Sequence, residues 1–160
     1  MPQFTPRSTN SGKRQIENVL SPCSHIRCKW EKLFDKIRIL VGYDESLQSR
    51  KALKEAVTIA TCFSGFIKVV YVYGKGMEDK AEAAAIEVKE NLEKEKVEHD
   101  MSLVLGSNPA KTLIVTAKQE NFALIIVGSR GLGSTMSLLL GSVSKEVVAN
   151  AHCNVLVVKN

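Results

Sequence analysis

From Ile37 onward, hydrophobic residues follow two alternating patterns. Short runs of β-branched and apolar residues, typical of strands buried on both faces, alternate with segments in which apolar residues return every three or four positions. The chain therefore alternates strand and helix five times over about 123 residues. The predicted strands are Ile37 to Tyr43, Phe66 to Tyr73, His99 to Leu105, Ala123 to Val127 and Val155 to Val158.

Four helices are predicted between these strands, and local signals mark where two of them begin. Ser46 is the candidate N-cap of the first helix, because its hydroxyl can accept from an unpaired amide of the first turn. Asn108 is placed in the same way before the third helix, and Pro109 suits a first helical turn. The predicted helices are about Leu47 to Ala60, Met77 to Lys96, Pro109 to Gln119 and Gly141 to Ala149.

The order of these elements predicts an α/β fold, a five-stranded parallel sheet with helices on both faces, Rossmann-like in architecture. With right-handed crossovers we expect the strand order 3-2-1-4-5. Ligands of such sheets bind beyond the carboxyl ends of the strands where the order reverses. That point lies between the first and fourth strands, so Asp44 and the segment Gly128 to Gly133 should meet at one crevice.

A segment rich in glycine and hydroxyl residues joins the fourth strand to the fourth helix. Glycines at the end of a buried strand, here Gly128 and Gly131, let the backbone approach a ligand closely. Gly141 and Ser142 precede a helix whose first amides lack internal partners, and such amides bind anions such as phosphate. The hydroxyls of Ser142 and Ser144 could add hydrogen bonds. An ordinary strand-to-helix turn explains the same residue types equally well.

Two charged residues flank the same crevice. Asp44 ends the first strand, where it could meet a ribose hydroxyl or, through water, a divalent cation. Helix capping or simple solvation also explains a carboxylate at this position. Arg130 lies inside the glycine segment, and a surface loop charge explains it as well as a phosphate contact does.

The chain from Lys36 to Asn160 resembles the ATP-binding branch of the universal stress protein family, whose fold is adenine nucleotide alpha hydrolase-like. That branch carries a glycine, two residues, a second glycine, nine residues, and then glycine followed by serine or threonine. Gly128, Gly131, Gly141 and Ser142 match every one of these positions. Two further segments resemble the family, Val41 to Asp44 and Ala151 to Lys159.

The resemblance implies that the ligand is ATP, with Mg or Mn, and it assigns a role to each matched position. Asp44 would contact the adenosine, and Val72 would pack near the adenine. Family members often have Pro or Ala and then Thr, Val or Leu before the aspartate, so Gly42 and Tyr43 are departures that should alter adenine packing. The other predicted binding residues are Val127, Gly128, Arg130, Gly131, Gly141, Ser142, Val143 and Ser144.

By this resemblance we expect an ATP-binding stress-response regulator whose nucleotide occupancy modulates dimer or partner contacts. Two alternatives stay open: a slow metal-dependent ATPase that uses Asp44, and a non-catalytic scaffold that contacts nucleic acid through its N-terminal tail. No catalytic residue is assigned, because the three histidines lie away from the glycine segment. The family dimerises through its last strand, here Asn154 to Val158, so a homodimer is expected.

Other nucleotide and redox chemistries lack their motifs. A dinucleotide-binding dehydrogenase needs G-x-G-x-x-G after the first strand, and a phosphate-loop NTPase needs G-x-x-x-x-G-K-[ST]. Neither occurs, and without that lysine efficient phosphoryl transfer lacks its usual electrostatic clamp. The Ser-Gly-Gly-x-Asp-Ser loop of nucleotide α-hydrolases and the C-x-x-C of thiol redox enzymes are also missing.

The distribution of charge distinguishes the N-terminal part of the chain from the rest. Residues 1–35 hold six Lys or Arg against three Asp or Glu, whereas residues 36–160 hold sixteen against fourteen. We expect residues 1–35 to be a flexible basic extension of one domain, residues 36–160, with nucleic acid an improbable partner for it. The opening MPQFTPRSTN lacks a secretory core and no apolar run nears the roughly 20 residues of a membrane span, so a cytoplasmic location is expected.

The four cysteines do not predict a metal site. Cys23 and Cys28 with His25 offer three ligands, but no fourth lies at finger spacing. Cys62 and Cys153 lie in apolar surroundings and are expected to be small buried hydrophobes with reduced thiols.

Overall fold

A computed structural model describes residues 36–131 and 140–159. The predictions made for residues 1–35, including the basic extension and the Cys23 to Cys28 segment, lie outside the described residues. So do those for loop residues 132–139.

Strands and helices alternate along the described chain as the hydrophobic pattern predicted. The strands are β1 (Arg38–Tyr43), β2 (Phe66–Tyr73), β3 (Glu98–Leu105), β4 (Leu124–Gly128) and β5 (Asn154–Val158). The helices are α1 (Leu47–Phe63), α2 (Glu78–Lys94), α3 (Pro109–Gln119) and α4 (Ser142–Asn150). None of the helices in this part of the chain has the length and apolar character that crossing a membrane requires.

The strands form one parallel sheet in the order β3-β2-β1-β4-β5, which confirms the predicted 3-2-1-4-5 topology. In its register, Gly42 of β1 lies beside Val70 of β2, and Val41 lies beside Ile126 of β4. The chain moves outward from β1 in one direction through β2 and β3, then returns to β1's other side for β4 and β5. The strand order therefore reverses between β1 and β4, where the sequence places its two unusual segments.

Alternate strand residues bury against helices on opposite faces of the sheet. One face packs under α1 and α2, and its buried side chains include Ile39, Val41, Tyr43, Tyr71, Ala56 and Val88. The other face packs under α3 and α4, and its buried side chains include Leu40, Val70, Leu113, Val127 and Val147. Each fully buried side chain of this size contributes roughly 1.5–3 kcal/mol relative to exposure, so the two clusters hold the layers together.

Both predicted N-caps are confirmed. Ser49 N donates to Ser46 Oγ at 3.1 Å at the start of α1, and Lys111 N donates to Asn108 Oδ1 at 2.9 Å at the start of α3. The other two helices begin differently, because neither the residue before α2 nor Gly141 before α4 makes a side-chain cap. The uncapped start of α4 matters for the site described below.

The prediction that Cys62 is buried is wrong. Its thiol is exposed near the end of α1, and Cys153 is only half-buried. Ala56 and Ala60 lie on the buried stripe of α1, and Cys62 follows Ala60 by two positions. Two residues along an α-helix turn the side chain by about 200°, so Cys62 faces away from the sheet.

Candidate nucleotide site

A cavity of about 510 Å³ opens at the carboxyl ends of β1 and β4. Its volume falls within the roughly 300–1,000 Å³ typical of small-molecule sites. All twelve residues predicted from the sequence line it: Gly42, Tyr43, Asp44, Val72, Val127, Gly128, Arg130, Gly131, Gly141, Ser142, Val143 and Ser144. Four lining residues were not predicted: Ser49, Val70, Pro109 and Leu113.

One side of the cavity is apolar and belongs to the face under α3 and α4. Leu113 of α3 fills the space that a side chain on Gly42 would need, since a Cβ there would lie 2.8 Å from Leu113 Cδ1. The same Cβ would lie 3.2 Å from Val127 Cγ1. Gly42, Leu113, Val127 and Val72 all line the cavity, and this apolar part of its wall is called the slot below.

Tyr43 lies on the opposite face from this slot. Its side chain is 5% exposed and belongs to the cluster under α1 and α2. Its ring centroid is 6.3 Å from that of Tyr71. Gly42 and Tyr43 are the two departures from the family pattern. Gly42 belongs to the slot and Tyr43 does not, so only Gly42 is placed to affect how a ring would pack there.

The turn from β1 into α1 is a closed network of short polar residues. Ser46 N donates to Asp44 Oδ1 at 3.1 Å, and Asp44 N donates to Ser49 Oγ at 3.3 Å. Ser49 Oγ in turn donates to the Ser46 carbonyl at 3.0 Å. Ser46 and Ser49 are buried, so the network fixes the direction of the Asp44 carboxylate.

This turn touches the β4–α4 connection at two points. Ser46 Oγ donates to the Arg130 carbonyl at 3.5 Å. The carboxylate of Asp44 lies against Gly131, because a Cβ on Gly131 would strike Asp44 Oδ2. A side chain at Gly131 would thus displace the Asp44 carboxylate from its present direction, a consequence that the place of Gly131 in the sequence did not reveal.

At the other two glycines of the motif, Gly128 and Gly141, the absence of a side chain has different physical reasons. A Cβ on Gly128 would lie 2.8 Å from the carbonyl carbon of Gln48 and 3.0 Å from Ser49 N, so the first turn of α1 needs this position empty. A Cβ on Gly141 would lie no nearer than 3.5 Å to Arg130 Cα and the Ser129 carbonyl oxygen, which is an ordinary contact. Gly141 also has an unstrained φ of −71°. Its missing side chain therefore leaves room in the cavity without an internal need for glycine.

The start of α4 presents its amides at the cavity. No side chain caps it among the described residues, while Gly141 N donates to the Ser129 carbonyl at 2.7 Å. Ser144 Oγ donates to the carbonyls of Ser129 and Gly141, at 3.1 and 3.0 Å. Its single hydroxyl proton is thus used within the protein, so an anion would meet the α4 amides and the exposed Ser142 rather than a Ser144 proton.

Arg130 supplies positive charge beside these amides. Its side chain is half-buried, and its Nε is buried without a hydrogen-bond partner among the described residues. A buried donor without a partner carries a free-energy cost that an anionic ligand would remove. This position favours an anion contact over a purely solvated loop charge.

The model of the Universal stress protein family matches residues 37–159. This chain belongs to the universal stress protein family. A universal stress protein from Thermus aquaticus is 33% identical over 133 residues, which cover 76% of this chain and 97% of that protein. Universal stress protein MJ0531 of Methanocaldococcus jannaschii is 30% identical over 146 residues, covering 81% of this chain and 84% of its own.

Solved structures share the fold of this universal stress protein. The hypothetical protein MJ0577 superposes with a TM-score of 0.72 at 24% identity, covering 78% of this chain and 96% of its own. A universal stress protein in complex with cAMP has a TM-score of 0.63 at 23% identity, covering 76% and 96%. The Archaeoglobus fulgidus protein in complex with dAMP has a TM-score of 0.60 at 22% identity, covering 79% and 98%. At these identities the likeness shows the fold alone.

Asp44 is the sole carboxylate that lines the cavity within the described part of this universal stress protein. The same part of the chain contains no group of three or more His, Cys, Asp or Glu side chains that could hold a metal ion. Mg²⁺ is commonly held by one or two carboxylates together with substrate phosphates and water. The residues present therefore suit an ion carried by a phosphate ligand rather than one held by the protein alone.

A second polar group lies beside the site, on the face under α1 and α2. Tyr71 Oη donates to Glu45 Oε2 at 2.9 Å. Burial, followed by this hydrogen bond and by the negative charge of Glu45, raises the pKa of Tyr71 from 10.0 to about 12. Tyr71 thus remains a neutral donor well into the alkaline range.

Gly128 and Gly141, two of the glycines that line the cavity, allow a matched test of stability. Gly128→Ala is expected to lower the free energy of unfolding by about 1–3 kcal/mol, because backbone atoms of α1 must shift. Gly141→Ala has room for its methyl group and is expected to change that free energy by less than about 0.5 kcal/mol. Urea unfolding of both variants measures the difference, and equal losses would contradict these assigned reasons for glycine.

Tyr71→Phe should change how stability depends on pH. Because the folded pKa of Tyr71 is raised from 10.0 to about 12, its stabilisation is fully present below about pH 10 and is lost as pH rises toward 12. The wild type should therefore be more stable than Tyr71→Phe near pH 8, and the gap should narrow by about pH 11. Urea unfolding at both pH values tests this. Burial also raises the pKa of Tyr43, which stays common to both proteins, and a constant gap would contradict the prediction.

Proposed function

We propose that this universal stress protein is an ATP-binding regulatory module rather than an efficient enzyme. The observation that carries the proposal is the start of α4, where no described side chain makes a cap and no atom of the described residues needs the space that Gly141 leaves. Amides at such a helix start, together with the helix dipole, bind phosphate groups. Arg130 lines the same cavity, and its Nε lies buried without a described partner.

The rest of the cavity suits an adenosine. The slot formed by Gly42, Val72, Leu113 and Val127 would take the adenine, and Asp44 lines the same cavity as this slot and the start of α4. A carboxylate in this position would accept from ribose hydroxyls. Two solved structures of the family hold cAMP and dAMP, which supports an adenine nucleotide as the ligand here. ATP, with Mg or Mn on its phosphates, is the finer assignment that we propose.

Nucleotide occupancy could reach the sheet edge through one residue, Ser129. Its carbonyl accepts from Gly141 N and Ser144 Oγ at the start of α4. Its amide donates to the Val158 carbonyl at 2.7 Å, at the end of β5. A ligand that pulls on the α4 amides would therefore act on the connection that also anchors the edge strand. This linkage supports a role in which ATP modulates dimer or partner contacts.

Slow, metal-dependent ATP hydrolysis is the second candidate function, and the presence of Asp44 favours it. A hydrolase also needs a base to orient water, and the described lining offers no histidine and no further carboxylate for that role. Binding without efficient turnover is therefore the better-supported function. A nucleic-acid contact through residues 1–35 is the least supported, because nothing in the described part of the chain bears on it.

ATP binding is tested by Gly141→Val with Gly74→Val as the matched control. Valine at 141 would fill the space in front of the α4 amides, whereas a Cβ at Gly74 meets no atom of residues 36–131 and 140–159 within 4 Å. Calorimetry should show ATP affinity falling at least about tenfold for Gly141→Val, since a lost charge-assisted hydrogen bond costs roughly 1.5–3 kcal/mol. Gly74→Val should bind like the wild type.

Unchanged ATP binding by a folded Gly141→Val protein would refute the phosphate site. Gly131→Val is a poorer probe than Gly141→Val, because its side chain would displace the Asp44 carboxylate as well. AMP and adenosine serve as further ligands, since the proposal expects affinity to rise with the number of phosphates.

We further propose a homodimer through β5, the edge strand next to β4. An unpaired strand edge invites pairing with a second chain, and Leu156 in the middle of β5 is 36% exposed. Leu156→Lys should shift sedimentation at micromolar concentration from dimer toward monomer. Val115→Lys, which changes a 41% exposed residue on α3, is the control. A monomeric wild type would contradict this assembly.

A further inference from the structure

We infer that Glu45, Tyr71 and Lys80 act as positioning residues for Asp44, holding it for the ribose from the face of the sheet opposite the adenine slot. The inference rests on the proposed function, because it assumes that Asp44 meets the ribose of a bound nucleotide. The group Glu45, Tyr71 and Lys80 is called the rear clamp below.

The backbone of Glu45 is the first observation. Its φ is +64°, in the left-handed region that residues with a Cβ rarely adopt. Glycine would take this conformation without strain, so a glutamate here calls for a compensating role of its side chain. Backbone outliers of this kind gather at functional sites, where the surrounding structure holds them in place.

The side chain of Glu45 is held at one oxygen by two elements. Its Oε2 accepts from Tyr71 Oη of β2 at 2.9 Å and lies 3.1 Å from Lys80 Nζ in the first turn of α2. The Tyr71 residue is 6% exposed, so its hydrogen bond is shielded from water. The Lys80 side chain is 47% exposed, and such an exposed pair alone contributes little. Tyr71 is therefore the main anchor of the rear clamp.

A third element holds the Glu45 backbone. Arg50 Nε of α1 donates to the Glu45 carbonyl at 3.3 Å. The Arg50 guanidinium also pairs with both carboxylate oxygens of Glu87 on α2. The residue after Asp44 is thus fixed from β2, α1 and α2 at once, while none of the rear clamp residues lines the cavity.

The rear clamp acts on Asp44 through the turn that they share. Ser46 N donates to Asp44 Oδ1 at 3.1 Å across the intervening Glu45, whose left-handed conformation sets the shape of this turn. That bond orients the carboxylate so that Oδ2 lies against Gly131 at the cavity. Release of Glu45 would free the turn and let the carboxylate rotate away from the direction that a ribose needs.

The protein's preference for a ribose over a sugar that lacks the 2′ and 3′ hydroxyls distinguishes two roles of the rear clamp. Positioning of Asp44 affects this preference, whereas general stabilisation of the fold does not. Affinities for ATP and 2′,3′-dideoxy-ATP are measured by calorimetry on the wild type and on Asp44→Ala, Glu45→Gly, Glu45→Gln and Tyr71→Phe. Glu45→Gly removes the anchor and leaves the turn free to adopt either sign of φ without strain, so it should fold while no longer holding one conformation. Glu45→Gln keeps an oxygen that can accept from Tyr71 and is the conservative rescue.

The wild type should prefer ATP over the dideoxy nucleotide by about tenfold or more, the size expected for a hydrogen bond to a charged group. Asp44→Ala, Glu45→Gly and Tyr71→Phe should each lose most of this preference. In each variant ATP should bind more weakly, and the affinity for dideoxy-ATP should change little. Glu45→Gln should keep most of it. Circular dichroism and thermal unfolding confirm that each variant is folded, and Tyr71→Phe provides a second reading of the rear clamp.

The contrary outcomes fall into distinct groups. If the preference depends on Asp44 but survives in Glu45→Gly and Tyr71→Phe, the rear clamp does not position Asp44 and the inference is refuted while ATP binding stands. Equal weakening of both nucleotides in those variants also refutes it, because a general structural role has that effect. If the wild type binds neither nucleotide, the proposed function itself fails, and the inference fails with it.

Discussion

The close approach of the first turn of α1 to the end of β4 is the contact on which the site depends. It is possible because Gly128 has no side chain, and backbone atoms of Gln48 and Ser49 occupy the space. The approach brings Ser46 within reach of the Arg130 carbonyl and leaves Asp44 against Gly131. Two segments separated by more than eighty residues in the chain thereby become one wall of a single cavity.

Ser129 extends this arrangement to the rest of the fold. It is buried, at 2% exposure, and its carbonyl and amide join the start of α4 to the end of β5. One of the hydroxyls that suggest phosphate binding in the sequence has a structural role at Ser129 instead, because Ser144 Oγ donates its proton to the Ser129 carbonyl. The donors of the proposed phosphate site are therefore chiefly backbone amides, whose directions the helix sets and which side-chain substitution leaves in place.

The site has a different character on each face of the sheet. An apolar slot lies under α3 and α4, whereas the polar group of Glu45, Tyr71 and Lys80 lies on the side of α1 and α2. Successive residues of β1 point to opposite faces, so Gly42 serves the slot while Tyr43 packs in the core beside Tyr71. The next two residues also lie on different sides. The Asp44 carboxylate lies at the cavity, and the Glu45 carboxylate lies behind it beside Tyr71.

Most of the fold could be predicted from the sequence, because strand and helix periodicities are local and the caps at Ser46 and Asn108 are local too. The strand order followed from the handedness of crossovers, and all twelve predicted residues line the cavity. Burial was less predictable, as Cys62 shows, because one residue's position around a helix decides its exposure.

The sequence by itself thus determined the order of elements, the topology and the residues that meet at the crevice. Only the tertiary structure decided why each residue is there. Gly128, Gly131 and Gly141 are chemically identical, yet one makes room for a helix, one for a carboxylate and one for open space. Leu113 carries no motif and reaches the cavity because α3 brings it there, and Tyr71 reaches Glu45 behind the cavity because of the position of β2. The physical reason is that these roles belong to distances between distant segments, which no local pattern encodes.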